Sequence, residues 1–217
     1  MKKGLIITLP KSDLVTEYLS YFSEEIVSEA ENKDVDLKRL TENEVNKDNF
    51  EKVLSKLDYN FIVFNGHGTS TSIKGHKEEI LVEEGNNEII LKDRIIFARS
   101  CESGASLGIA SVTKSKGCFI GYEMPFVFYA DGNWDSIPGK DEVARLFLEP
   151  SNLVAISILK GHTAKEAHET AKRQTIKNIK KALRMEPQDA YFVVPGLWNN
   201  YESQVLHGNP KIDLNSV

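Results

Sequence analysis

The chain has 217 residues, 41% of them hydrophobic and 27% charged, and its net charge is −5. That size and composition fit one α/β domain with its own core and exclude a disordered chain. The mild acidity gives no global pull toward nucleic acid or an anionic membrane. Two cysteines, Cys101 and Cys118, are too few for a disulfide scaffold and suit a reducing compartment. The basic start Met1-Lys2-Lys3 runs into an apolar stretch that stops at Pro10, too short for the hydrophobic part of a signal peptide. No stretch approaches the roughly 18 apolar residues of a membrane span. The expectation is a single domain, 1–217, in the cytoplasm and without membrane contact.

Residues 4–9 (GLIITL) form a β-branched apolar run ended by Pro10, the pattern of a strand buried on both faces. Ser12 or Asp13 then caps a helix whose Leu14, Tyr18, Phe22, Ile26 and Ala30 repeat every four residues along one stripe. Residues 35–40 read as a second strand and 49–57 as a short helix. Residues 60–64 (NFIVF) are the next buried strand and lead directly into Asn65-Gly66-His67-Gly68. Ile80-Leu81-Val82 and residues 88–91 flank Glu84-Gly85-Asn86-Asn87, which predicts a β-hairpin. Residues 94–98 (RIIFA) are a further buried strand leading into Arg99-Ser100-Cys101-Glu102-Ser103-Gly104. A small-residue helix over 105–114 and a fifth strand opening at 118–121 follow. Residues 130–139 (ADGNWDSIPG) are a loop. From Lys140 to Arg184 the pattern is helical, broken at Gly161 and restarted by a Thr163 cap. Tyr191–Val194 and Gln204–Leu206 are short strand candidates.

Strands alternating with helices predict a three-layer sandwich, with a mostly parallel central sheet covered on both faces. In such sheets sites form beyond the carboxyl ends of the strands. His67 and Cys101 each stand immediately after a buried strand, 34 positions apart. A thiol nucleophile needs a partner that favours thiolate and protonates a leaving amine, and imidazole does both. The N–H groups of Gly68, which has no side chain to block approach, and of Cys101 offer an oxyanion hole. The helix starting just after Cys101 adds a dipole that favours a thiolate. The pattern predicts Cys–His acyl transfer, with no cofactor and no metal. His67, His76 and Cys101 fit no common zinc spacing.

Strand–Asn65-Gly66-His67-Gly68, a hairpin, then strand–Ala98-Arg99-Ser100-Cys101-Glu102-Ser103-Gly104 resembles the caspase-like clan of cysteine peptidases, which includes caspases, gingipains, clostripain, legumain and separase. The Ser-Cys-Glu-Ser segment is most similar to the bacterial CHAT-domain and gingipain-like branch. The tail from Leu197-Trp198-Asn199-Asn200 to Gly208-Asn209-Pro210 also resembles that branch, with Asn209 where an aspartate is common. The resemblance, spanning about residues 4–213, implies a caspase–haemoglobinase fold and endopeptidase activity on protein or peptide substrates. It carries His67 and Cys101 over as the dyad and Gly68 as an oxyanion-hole glycine. It also implies a latent resting form that waits for a regulatory protein partner. For the substrate pocket it points to Arg99, two before the cysteine, with Asp13 after the first strand, Glu123 after the fifth, and Trp134 in the nearby loop. Arg99 alone favours an acidic substrate side chain, Asp13 or Glu123 a basic one, and Arg99 neutralised by an acid a polar or apolar one. Two acids against one base tilt the balance toward a basic residue before the cut.

Plainer readings stand beside these. Trp134 equally serves to cover the core at a loop, and Cys118 at the head of a strand reads as core. The cationic helix from Lys165 to Arg184 reads as a solvated face, so no direct nucleic-acid contact is expected. A catalytically silent caspase-like binding or adaptor module is the alternative function, and a flavodoxin-like nucleotide-binding domain a third.

Overall fold

In a computed structural model describing residues 1–216, six strands form the central sheet. They are β1 (Lys2–Leu9), β2 (Asp36–Thr41), β3 (Tyr59–Asn65), β7 (Ile95–Arg99), β8 (Cys118–Tyr122) and β9 (Gln204–Gly208). Their order is β2-β1-β3-β7-β8-β9, with all neighbours parallel except the β8–β9 pair at one edge. The helices are α1 (Leu14–Phe22), α2 (Glu24–Asn32), α3 (Lys47–Leu57), α4 (Leu107–Val112), α5 (Glu142–Leu159), α6 (Ala164–Ala182) and α7 (Pro187–Ser203).

The strand pleat sorts side chains onto two faces. Leu5, Ile7, Phe61, Val63, Ile95, Phe97 and Ile120 pack against α2, α5 and α6 through Ile26, Val27, Val154, Ala155, Ile158 and Ala167. Ile6, Ile62, Phe64, Ile96, Ala98 and Phe119 face the other way, onto Phe50 and Leu54 of α3 and Leu107 at the start of α4. The result is the expected three-layer arrangement. Among the described residues no helix is long and apolar enough to cross a membrane.

Four local expectations are corrected. The helix after β1 is split at Ser23, whose hydroxyl donates to the Leu19 carbonyl at 2.8 Å and ends α1. The hairpin between the His and Cys strands uses different partners. A small antiparallel sheet joins β4 (Gly68–Thr69), β5 (Ser72–Lys74) and β6 (Ile80–Glu83), whereas Glu88–Leu91 is a single 3-10 turn. The helix predicted over 105–114 is the six residues of α4. Tyr191–Val194 lies inside α7, where Val193 and Leu197 are buried one turn apart.

Buried Asp141 ties three elements together. Its carboxylate accepts from the Tyr18 hydroxyl (3.1 Å), the Asp131 amide (2.8 Å) and the Ala144 amide (2.8 Å). One side chain thus caps α5, holds α1 and closes the loop between Asp131 and Asp141.

Candidate active site

β3 and β7 run in parallel register, with Phe64 opposite Ala98 and Asn65 opposite Arg99. His67 and Cys101 therefore each lie two residues beyond the same rung, at the carboxyl end of neighbouring strands. The turn between Asn65 and His67 needs Gly66, which has φ +147° and would press a Cβ to 2.5 Å from the Lys74 carbonyl oxygen. At Gly68 a Cβ would come within 2.9 Å of both the Cys101 carbonyl oxygen and the Ser100 hydroxyl. Gly68 thus lies directly against the Cys101 backbone and the Ser100 side chain, and the missing side chain makes that approach possible.

Asp13, expected in the substrate pocket, serves a different partner. Its Oδ1 accepts from the Thr16 amide at 2.8 Å and caps α1, while its Oδ2 lies 2.8 Å from His67 Nε2. The capping bond fixes the carboxylate, and the fixed carboxylate fixes the imidazole. Burial pulls the Asp13 carboxyl upward, but the Thr16 amide and the His67 ring outweigh it and hold the group below the ordinary carboxylate range.

Cys101 is partly buried. Its Sγ lies 3.9 Å from the carbonyl oxygen of Phe126. Burial pushes its thiol up, a backbone hydrogen bond with Phe126 pulls it partly back, and the neighbouring Glu102 carboxylate adds to the upward shift. Cys118 is fully buried at the start of β8, with its thiol pushed up to about 12 by burial, as expected of a core residue.

Arg99 does not face a pocket. Its side chain is completely buried, and burial pushes its guanidinium down to about 10. Nε and Nη2 donate to Asn65 Oδ1 at 3.0 and 2.7 Å, and Nη1 donates to Asn152 Oδ1 at 2.8 Å and to the Ser151 hydroxyl at 3.3 Å. Nη2 also donates to the Leu19 carbonyl and the Ser23 hydroxyl. Every donor is used, so none is left for a substrate. Glu123 is exposed and lies in the field of Lys172 on α6. Trp134 sits in a short turn of the 130–139 loop, with the Lys140 ammonium 5.5 Å above its ring. Of the four pocket candidates, only Asp13 touches a member of the dyad.

Sequence reasoning missed Phe126, Asn65 and Asn152. Asn65 carried a signal: a polar amide closing a wholly apolar strand must find partners, and it takes Thr8 as well as Arg99, donating from Nδ2 to the Thr8 carbonyl at 2.7 Å. Phe126 gave none, because its part is played by a backbone oxygen.

No family model and no curated protein matches the chain. Among solved structures it is similar to the complex of Porphyromonas gingivalis RgpB pro- and mature domains, with TM-score 0.59 and 10% identity over 96% of this chain and 47% of that one. It is likewise similar to the Arg-specific cysteine proteinase gingipain R, with TM-score 0.58 and 10% identity over 99% of this chain and 48% of that one. The chain spans about half the length of both, and the fold it shares with them is that of a caspase-like cysteine peptidase.

Proposed function

We propose that this chain is a cysteine endopeptidase of the caspase-like type, acting on protein or peptide substrates through Cys101 and His67. The observation that carries the reading is the close approach of Gly68, next to His67, to the Cys101 backbone and the Ser100 side chain at the carboxyl ends of β3 and β7. The fold shared with gingipain R supports it. The segment Ser100-Cys101-Glu102-Ser103 and the closing Gly208-Asn209-Pro210 favour a bacterial CHAT-like or gingipain-like relative, working in the cytoplasm.

In this mechanism Asp13 accepts from His67 Nε2–H, which leaves Nδ1 as the working nitrogen. Cys101 and His67 share one proton as thiolate and imidazolium. The sulfur attacks the scissile carbonyl carbon, and the C=O electron pair moves to oxygen, where the N–H groups of Gly68 and Cys101 receive it. Collapse breaks the C–N bond as His67 gives its proton to the leaving nitrogen, and a thioester remains. Water then adds to the thioester while His67 takes its proton. The C–S bond breaks, the carboxylic acid leaves, and thiolate and imidazolium are restored.

The test compares wild type with Cys101→Ala and His67→Ala against a peptide library. Loss of cleavage in both variants with the fold intact supports the assignment. Equal cleavage by Cys101→Ala ends it and favours the adaptor reading.

A further inference from the structure

After β8 the chain leaves the sheet, and residues 124–130 have no helix or strand structure. They pass against Cys101 and Glu102. The Phe126 carbonyl oxygen lies 3.9 Å from Cys101 Sγ, and the Met124 carbonyl accepts from the Glu102 amide at 3.3 Å. Cys101 Sγ, itself partly buried, is thus packed against the backbone of this segment. The flanking rings fill the space beneath. Phe126 stacks on Tyr122 with centroids 4.7 Å apart, and Phe128 packs on Tyr18 at 5.7 Å. Among the described residues, neither His67 nor Cys101 lines any of five prominent surface cavities of about 500 to 730 Å³.

What holds this segment down is a pair of side chains on α7. Asn200 Oδ1 accepts from the Val127 amide at 2.9 Å, and Asn200 Nδ2 donates to the Val127 carbonyl at 2.6 Å. Its amide thus satisfies both polar groups of one peptide, as a neighbouring strand would. Asn199 Nδ2 donates to the Pro125 carbonyl at 2.8 Å. Asn200 is buried and Asn199 partly exposed. A segment fastened by a few side-chain bonds opens far more readily than a strand in the sheet.

We propose that residues 124–130 are an autoinhibitory strap, latched to α7 by Asn199 and Asn200, and that the strap must lift from Cys101 before a substrate can reach it. The proposal rests on the peptidase reading for its meaning, but its test does not depend on turnover.

The test is site-resolved alkylation by iodoacetamide, read by peptide mass spectrometry in wild type, Asn199→Ala and Asn200→Ala. Cys118, sealed in the core, reports global unfolding in the same sample. The strap predicts that Cys101 alkylates about tenfold faster in Asn200→Ala, and by a smaller factor in Asn199→Ala, while Cys118 stays unlabelled. Unchanged Cys101 rates in both variants overturn the strap, as does acceleration only in step with Cys118. Peptide cleavage measured alongside separates the two ideas. Fast Cys101 labelling without cleavage in the unlatched variants leaves the strap standing and removes the peptidase. Unchanged labelling, with cleavage that depends on Cys101, does the reverse.

Discussion

Asn65 and Arg99 stand opposite each other on adjacent parallel strands, and the Asn65 side-chain oxygen accepts two bonds from the buried guanidinium, at 3.0 and 2.7 Å. Each residue precedes a dyad member by two positions. The same guanidinium reaches Leu19 and Ser23 at the end of α1, and Ser151 and Asn152 in α5. One side chain therefore fastens the His strand, the Cys strand and the helix whose cap orients His67. Arg99→Met leaves two buried amide oxygens, Asn65 Oδ1 and Asn152 Oδ1, without a donor. The expected cost is about 3 to 5 kcal/mol of stability, read as a shift in the urea midpoint. Arg99→Lys keeps the charge but not the fork, and falls between wild type and Met.

Asp13 combines a structural and a chemical duty, and two substitutions separate them. Asn caps helices as well as Asp does, so Asp13→Asn is expected to hold stability within about 0.5 kcal/mol, whereas Asp13→Ala loses about 1 kcal/mol. Both remove the carboxylate from His67 Nε2, and the proposed peptidase loses about 10- to 100-fold in kcat in either variant. Thermal melting and peptide turnover, measured on the same preparations, check both parts. The folded-state pKa of Asp13 lies below its unfolded value. Its stabilisation is thus complete above the ordinary Asp range and fades as pH falls through that range and below. The acid limb of the Asp13→Asn stability curve is correspondingly flatter.

His168 on α6 gives a second acid response, of larger size. Burial, reinforced by the Lys172 ammonium and opposed by the Glu169 carboxylate, pushes it down to about 4. Its Nδ1 is buried without a partner. The unfolded chain binds this proton near pH 6.5 and the folded chain only near 4, so folding stability falls as pH drops through that window. The contribution is at most about 3 kcal/mol. His168→Leu is expected to lose this dependence, measured as the difference between urea midpoints at pH 7.5 and pH 4.5.

Gly68→Ala tests the contact on which the site reading depends. The added methyl would meet the Cys101 carbonyl and the Ser100 side chain at 2.9 to 3.0 Å, so the two turns must part. The expected outcome is a cleavage rate about 100-fold lower with a small change in melting temperature. A variant as active as wild type contradicts the proposed role of this approach in positioning the oxyanion hole.

The strands carrying His67 and Cys101 were legible because each is an unbroken apolar run closed by polar and small residues, a pattern that only a strand buried on both faces tolerates. The hairpin was misread because Glu84-Gly85-Asn86-Asn87 has turn composition. The Asn87 side chain instead bonds the chain before it, accepting from the Glu83 amide and donating to the Leu81 carbonyl. β6 is left to pair with the upstream segment Ser72–Lys74, which has little apolar pattern to announce it. The β-rich string at Tyr191–Val194 was overridden by packing, since Val193, Gly196, Leu197 and Asn200 are buried at the i, i+3, i+4, i+7 spacing of a helix face. Arg99 was assigned to the pocket because the family resemblance places the residue two before the cysteine there. Its neutral partners come from positions 19, 23, 65, 151 and 152, and no local pattern links them.

The carboxylate of Asp141 has a consequence for how this architecture tolerates change. Because it grips the amide of Asp131 while capping α5, both ends of the intervening stretch are anchored by one group outside it. The closure of that loop does not depend on what residues 132–140 are, and lengthening it adds only a slowly growing entropic cost. Insertions or grafted recognition sequences belong there: the surrounding helices are already tied at its base, and the additions would hang from the body without disturbing it.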